Sequence, residues 1–228
     1  MTPDPDATTR THEVVIPPLG LPGLLTIPND PQSVVVFAHG SGSSRLSPRN
    51  NAVARALNAE GIATLLFDLL TPEEEANRAN VFDIPLLADR LIDAVLWDEH
   101  NSAIGHLPIG LFGASTGAAA ALVAAAKEPA TIGAVVSRGG RPDLAGDALV
   151  HVRAPTLLIV GGADHGVIEL NAQAFERLSC PKAFEIVPGA THLFEEPGTL
   201  EQAIALAAGW FHRHLAVHGH GNKGKDWS

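Results

Sequence analysis

Residues 108–117 read Pro-Ile-Gly-Leu-Phe-Gly-Ala-Ser-Thr-Gly, and an alanine-rich run from Ala118 to Ala126 follows at once. A short apolar strand, a Gly-x-Ser-x-Gly turn and a helix in direct succession form the context in which a serine hydroxyl is held out as a nucleophile. The glycines have a steric reason. Ser115 must sit in a strained turn to expose its hydroxyl, and side chains two residues to either side, at Gly113 and Gly117, would collide with neighbouring backbone. The competing reading makes Ser115 the mere cap of a glycine-flanked helix.

The chain around this turn supplies the rest of a parallel sheet. Continuous apolar runs lie at 34–38 (Val-Val-Val-Phe-Ala), 62–67, 132–136 and 156–160, the pattern of strands buried on both faces. Shorter strands are expected at 108–112 and 182–187, and an antiparallel hairpin from 12–16 and 23–27. Helices alternate with them. Ser47, Pro48 and Gly61 mark the start and end of one near 48–60. Ile84, Leu87, Leu91 and Val95 form the stripe of a second, over 84–99. Leu200, Ile204, Ala208, Phe211 and Leu215 do the same for a third, over 199–214. This alternation predicts an α/β fold in a single domain over 11–216, with flexible ends at 1–10 and 217–228.

A serine nucleophile needs a base, and the base an orienting carboxylate. After the run at 156–160 comes Gly-Gly-Ala-Asp-His, placing Asp164 at the carboxyl end of a strand. After 182–187 comes Gly-Ala-Thr-His-Leu-Phe, placing His192 on the loop beyond the last strand. Ser115, Asp164 and His192 then all lie at one edge of the sheet, where open α/β sheets carry their sites. His165 is the competing base, and Asp143 and Asp147 are competing acids. The oxyanion would be held by backbone amides: that of Thr116, at a helix N-terminus, and that of Ser41, with Gly42 next. Ser41, Ser43 and Ser44 are poor nucleophiles because no helix follows closely enough to make the turn. His39 more plausibly fixes its loop through a backbone hydrogen bond than takes a proton.

Four ordered motifs, Phe-Ala-His-Gly-Ser-Gly-Ser at 37–43, Gly-Ala-Ser-Thr-Gly at 113–117, Gly-Gly-Ala-Asp at 161–164 and Gly-Ala-Thr-His-Leu-Phe at 189–194, make the chain resemble an α/β-hydrolase-fold enzyme of the dienelactone hydrolase-like group, over about 12–215. The resemblance implies an eight-stranded, mostly parallel sheet with helices on both faces. True dienelactone hydrolases use a cysteine nucleophile, whereas Ser115 stands there in this chain. The segment 137–152, where this fold usually inserts a lid, is too short for a lid domain and implies an open site for small esters.

Composition excludes other classes. With 25 acidic residues against 15 basic ones the net charge is −10, unsuited to a nucleic-acid partner. A mean hydropathy of +0.14 rules out a largely disordered chain. One cysteine, Cys180, allows neither an internal disulfide nor a multi-thiolate zinc site. The longest apolar stretch, 117–126, is too short for a bilayer, which needs roughly 20 residues. The N-terminus lacks the basic start and apolar run of a signal peptide, so a cytoplasmic protein is expected. Among 11 histidines, His214 and His218 have the i, i+4 spacing of metal ligands beside His212 and His220, but without a glutamate to complete a catalytic motif. No metal or other cofactor is expected. Arg138 and Arg141, at the site edge of the sheet, could read a substrate carboxylate or pair with Asp143 or Asp147. Glu73, Glu74 and Glu75 form an acidic rim and helix start that would discourage anionic substrates. The expectation is a serine hydrolase of small carboxylic esters, lactones or thioesters, working as a monomer or homodimer. An acyltransferase sharing the acyl-enzyme and a non-catalytic binding protein of the same fold are the alternatives.

Overall fold

The structure, a computed structural model, describes residues 9–216. Its strands are β1 (Arg10–Ile16), β2 (Leu21–Ile27), β3 (Ser33–Ala38), β4 (Ile62–Phe67), β5 (Ile109–Ala114), β6 (Ile132–Arg138), β7 (Thr156–Gly161) and β8 (Lys182–Val187). The helices are α1 (Pro48–Ala59), α2 (Pro72–Ala76), α3 (Ile84–Glu99), α4 (Thr116–Lys127), α5 (His165–Arg177) and α6 (Thr199–His214), with a kinked 3-10 segment over Pro142–His151. The strands form one sheet in the order β1-β2-β4-β3-β5-β6-β7-β8. β2 pairs antiparallel with β1 and β4, and the other neighbours are parallel. This is the expected eight-stranded α/β-hydrolase architecture. β1 begins at Arg10, so the last residue expected in the flexible N-terminus belongs to the hairpin. The expected tail, 217–228, lies outside the described residues.

The continuous apolar runs are explained by two cores, one on each face. Along β3, Val34, Val36 and Ala38 face a core closed by α3, α4 and the 3-10 segment, while Val35 and Phe37 face a second core closed by α1 and α6. Phe37 stands beside Phe112 of β5, ring centroids 4.9 Å apart. On α6 the buried stripe centres on Ala203, Ala207 and Phe211, with Leu200 and Ile204 only partly buried. The helix can approach because Gly110 of β5 has no side chain: a Cβ there would fall 2.8 Å from both Phe211 and Leu215.

Local signals set the helix starts. Ser47 Oγ accepts the Asn50 N–H ahead of α1, with Pro48 in the first turn. Before α2, Thr71 and Glu74 satisfy each other's free amides as a capping box. No helix among the described residues is long and apolar enough to cross a membrane.

Candidate active site

β5 delivers Ser115 on a turn with φ 52° and ψ −123°, a region costly for a residue with a Cβ. The two glycines make the turn possible. A Cβ on Gly113 would lie 2.4 Å from Ala118 Cα, and one on Gly117 would lie 2.1 Å from the Ala38 carbonyl oxygen. Ser115 stays partly exposed between buried Ala114 and Thr116. Gly40, at the end of β3, packs against it closely enough that a Cβ would come within 2.8 Å of Ser115 Cβ.

The loop beyond β8 folds back over the ends of β7 and β6, carrying His192 along the sheet edge that also bears Ser115. Gly161 admits the Ala190 and Thr191 carbonyls, at 2.4 and 2.7 Å from where a Cβ would stand, and Gly139 admits the His192 carbonyl at 2.9 Å. Thr191 is braced in turn, donating both its hydroxyl and its amide to the Glu196 carboxylate. His192 Nδ1 meets Asp164 Oδ2 at 2.7 Å, with the Asp164 side chain only 17% exposed. Because a carboxylate accepts, Nδ1–H donates and the lone pair sits on Nε2, the state a general base requires. Ser115 Oγ has no hydrogen-bond partner among the described residues; such links often close only when substrate is bound.

The rival assignments are occupied elsewhere. Asp143 holds Arg141 through two 2.8 Å hydrogen bonds, and Asp147 holds Arg177 at 2.8 Å. His165 is exposed on the first turn of α5.

The two amides expected to hold an oxyanion differ in their partners. The Thr116 N–H, at the start of α4, has no partner among the described residues, and the helix dipole favours negative charge there. The Ser41 N–H instead donates to Thr116 Oγ1 at 3.0 Å, so the loop carrying one expected donor is moored to the side chain of the other. Gly42 follows at φ +67°. His39 locks the same loop: Nδ1–H donates to the Gly40 carbonyl at 3.0 Å, and Nε2 accepts the Leu69 N–H at 3.2 Å. Both ring nitrogens are engaged in the neutral form, and burial holds the His39 pKa below its usual value.

Next to Ser115, across Gly40 and Thr116, lies a cavity of about 190 Å³, bounded by Gly40 to Arg45, Asp68 to Leu70, Glu75, Val81 and Thr116. Sequence reasoning did not find it, since it is enclosed by loops distant in the chain. Neither arginine singled out from the sequence lines it. Arg141 is the partner of Asp143, and Arg138 is 6% exposed beneath Phe194, its guanidinium 5.7 Å from the ring centroid. Only Nη2 of Arg138 finds an acceptor, Asn50 Oδ1 at 3.4 Å; burial, with Arg49 nearby, lowers its pKa to about 10. Among the described residues no group of three or more His, Cys, Asp or Glu side chains could hold a metal ion. His214 stacks on Trp210 and His212 bonds Glu60, while His218 and His220 lie outside the described residues.

Comparison with known proteins agrees with this fold. The model of the dienelactone hydrolase family matches residues 21–213. A crystal structure of dienelactone hydrolase from Anabaena variabilis superposes with a TM-score of 0.87 at 55% identity, covering 91% of this chain and 98% of that one. Est1E from Butyrivibrio proteoclasticus shares the fold, with a TM-score of 0.76 at 16% identity over 90% of this chain and 98% of its own. A Mycobacterium tuberculosis protein named for a phosphoribosyl transferase is 60% identical over 212 residues. That match takes in 93% of this chain but 48% of the other, so the chain spans about half the length of the curated relatives it matches.

Proposed function

The chain belongs to the dienelactone hydrolase family, and from that premise we propose that it is a serine hydrolase of carboxylic esters, lactones or thioesters of small substrates. The observation that carries this reading is the 2.7 Å pair of Asp164 and His192 at the same edge of the sheet as the strained Ser115 turn. Ser115 Oγ attacks the carbonyl carbon while His192 Nε2 takes its proton, and Asp164 stabilises the imidazolium so formed. The oxyanion is held by the Thr116 amide and by an amide of the Ser41–Gly42 loop. Collapse expels the alcohol or thiol, which takes the proton from His192, and water then releases the acyl group by the same route. No cofactor enters this sequence.

The phosphoribosyl transferase name belongs to a protein about twice as long, and nothing ties that name to the half matched here. A fluorophosphonate tests the proposal. The wild type should be labelled covalently and should hydrolyse short esters, and Ser115→Ala should lose both. Labelling that survives the substitution would place the nucleophile elsewhere.

A further inference from the structure

Resting on the serine-hydrolase reading above, we propose that the 190 Å³ cavity is the acyl pocket and that Glu75 on its wall makes it select uncharged acyl groups over acyl groups bearing a carboxylate.

The sheet order assigns the two halves of the substrate. Ser115 stands at the end of β5, the acid and base come from the loops after β7 and β8, and the cavity lies on the other side, against the loops after β3 and β4. The leaving alcohol must lie near His192 to receive its proton, so the acyl group points the opposite way, past Gly40 and Thr116. Much of the wall there is apolar, with Leu69, Leu70 and Val81 among the contributors.

Charge decides what fits. Three charged side chains line this cavity: Arg45, Asp68 and Glu75. Asp68 is consumed by Arg45, receiving both its guanidinium and, at 2.7 Å, its backbone N–H. His39 is neutral because both ring nitrogens are engaged. The neighbouring Glu74 points into an ion pair with Arg90 at 2.7 Å and into the cap of α2. Of the three, only the Glu75 side chain makes no hydrogen bond or ion pair among the described residues, so the pocket carries one unbalanced negative charge. Glu75 is exposed at the rim of the cavity, so a second carboxylate brought in on an acyl chain meets a repulsion that water partly screens.

Methyl butyrate and monomethyl succinate have equal acyl lengths and one leaving group, and differ by a terminal carboxylate. In a pH-stat assay at low ionic strength, the wild type should favour methyl butyrate in kcat/KM, and Glu75→Gln should narrow that ratio by roughly two- to fivefold. Glu75→Lys should narrow it further. O-Acetylglycolate carries its carboxylate on the alcohol half, so its ratio to methyl acetate should not respond to Glu75. Val81→Phe, which fills the cavity without changing charge, should lower the ratio of methyl butyrate to methyl acetate. A butyrate-to-succinate ratio unmoved by Glu75→Gln, or a response confined to O-acetylglycolate, would overturn the assignment while leaving the hydrolase intact. Absence of hydrolysis and of fluorophosphonate labelling in the wild type would instead bring down the underlying reading, and this one with it.

Discussion

Asp98 sits in the last turn of α3, fully buried, and neither carboxylate oxygen has a partner among the described residues. Burial disfavours the charged form and pushes its pKa from 3.8 to about 8. Between those two values the native protein holds a proton that the unfolded chain has released, so stability falls as pH rises through that window. Applied to these values, linkage gives a loss of about 2 kcal/mol between pH 6 and pH 8. For a domain of this size that is about 4–8 °C in Tm. Asp98→Asn keeps the shape and neutral polarity of the protonated acid but cannot ionise. Thermal unfolding followed by circular dichroism at pH 6, 7 and 8, at constant ionic strength, should show the variant gaining on the wild type by that amount. Parallel profiles for the two proteins would refute the argument, because every other titrating group is common to both.

Two further substitutions probe the site. Thr116→Val removes the hydroxyl that accepts the Ser41 amide, so kcat should fall about 10- to 100-fold with KM little changed, and Thr116→Ser should restore most of it. Gly117→Ala would ordinarily stabilise a helix by about 1 kcal/mol. Here the new Cβ would fall 2.1 Å from the Ala38 carbonyl oxygen, so a loss of about 1–3 kcal/mol is expected instead, read as a lower Tm.

The parallel strands were legible because burial on both faces leaves continuous apolar runs, and the Ser115 turn because its geometry demands glycine at 113 and 117. α5 escaped the sequence reading although Ile168, Ala172 and Phe175 lie at helical spacing, because its fully buried side chains are only Asn171 and Ala174 and its apolar residues stay half-exposed. Asp164 and His192 could be placed by strand ends alone. The device that brings His192 back across two strands could not, because it depends on the missing side chains of Gly139 and Gly161 meeting carbonyls of a distant loop. Arg138 stands at the expected sheet edge, but Phe194 and Asn50 decide which way it turns, and they bury it. Arg141 was equally ambiguous in sequence until its bidentate grip on Asp143. The cavity was hidden for the same reason, being bounded by segments that share no local pattern.

The ring of His39 works as a rivet that holds only while uncharged. A second proton would have to go on Nε2, where the Leu69 N–H already points, setting donor against donor. Its pKa lies below the usual 6.5, so below that pH the unfolded chain binds a proton that the native protein refuses, and stability drains away as acidity increases. The same event would part the β3 loop from the β4 loop, and so open the cavity that both of them wall. Acid would then unfasten the protein at a seam, while Asp98 sets the opposite, alkaline limit.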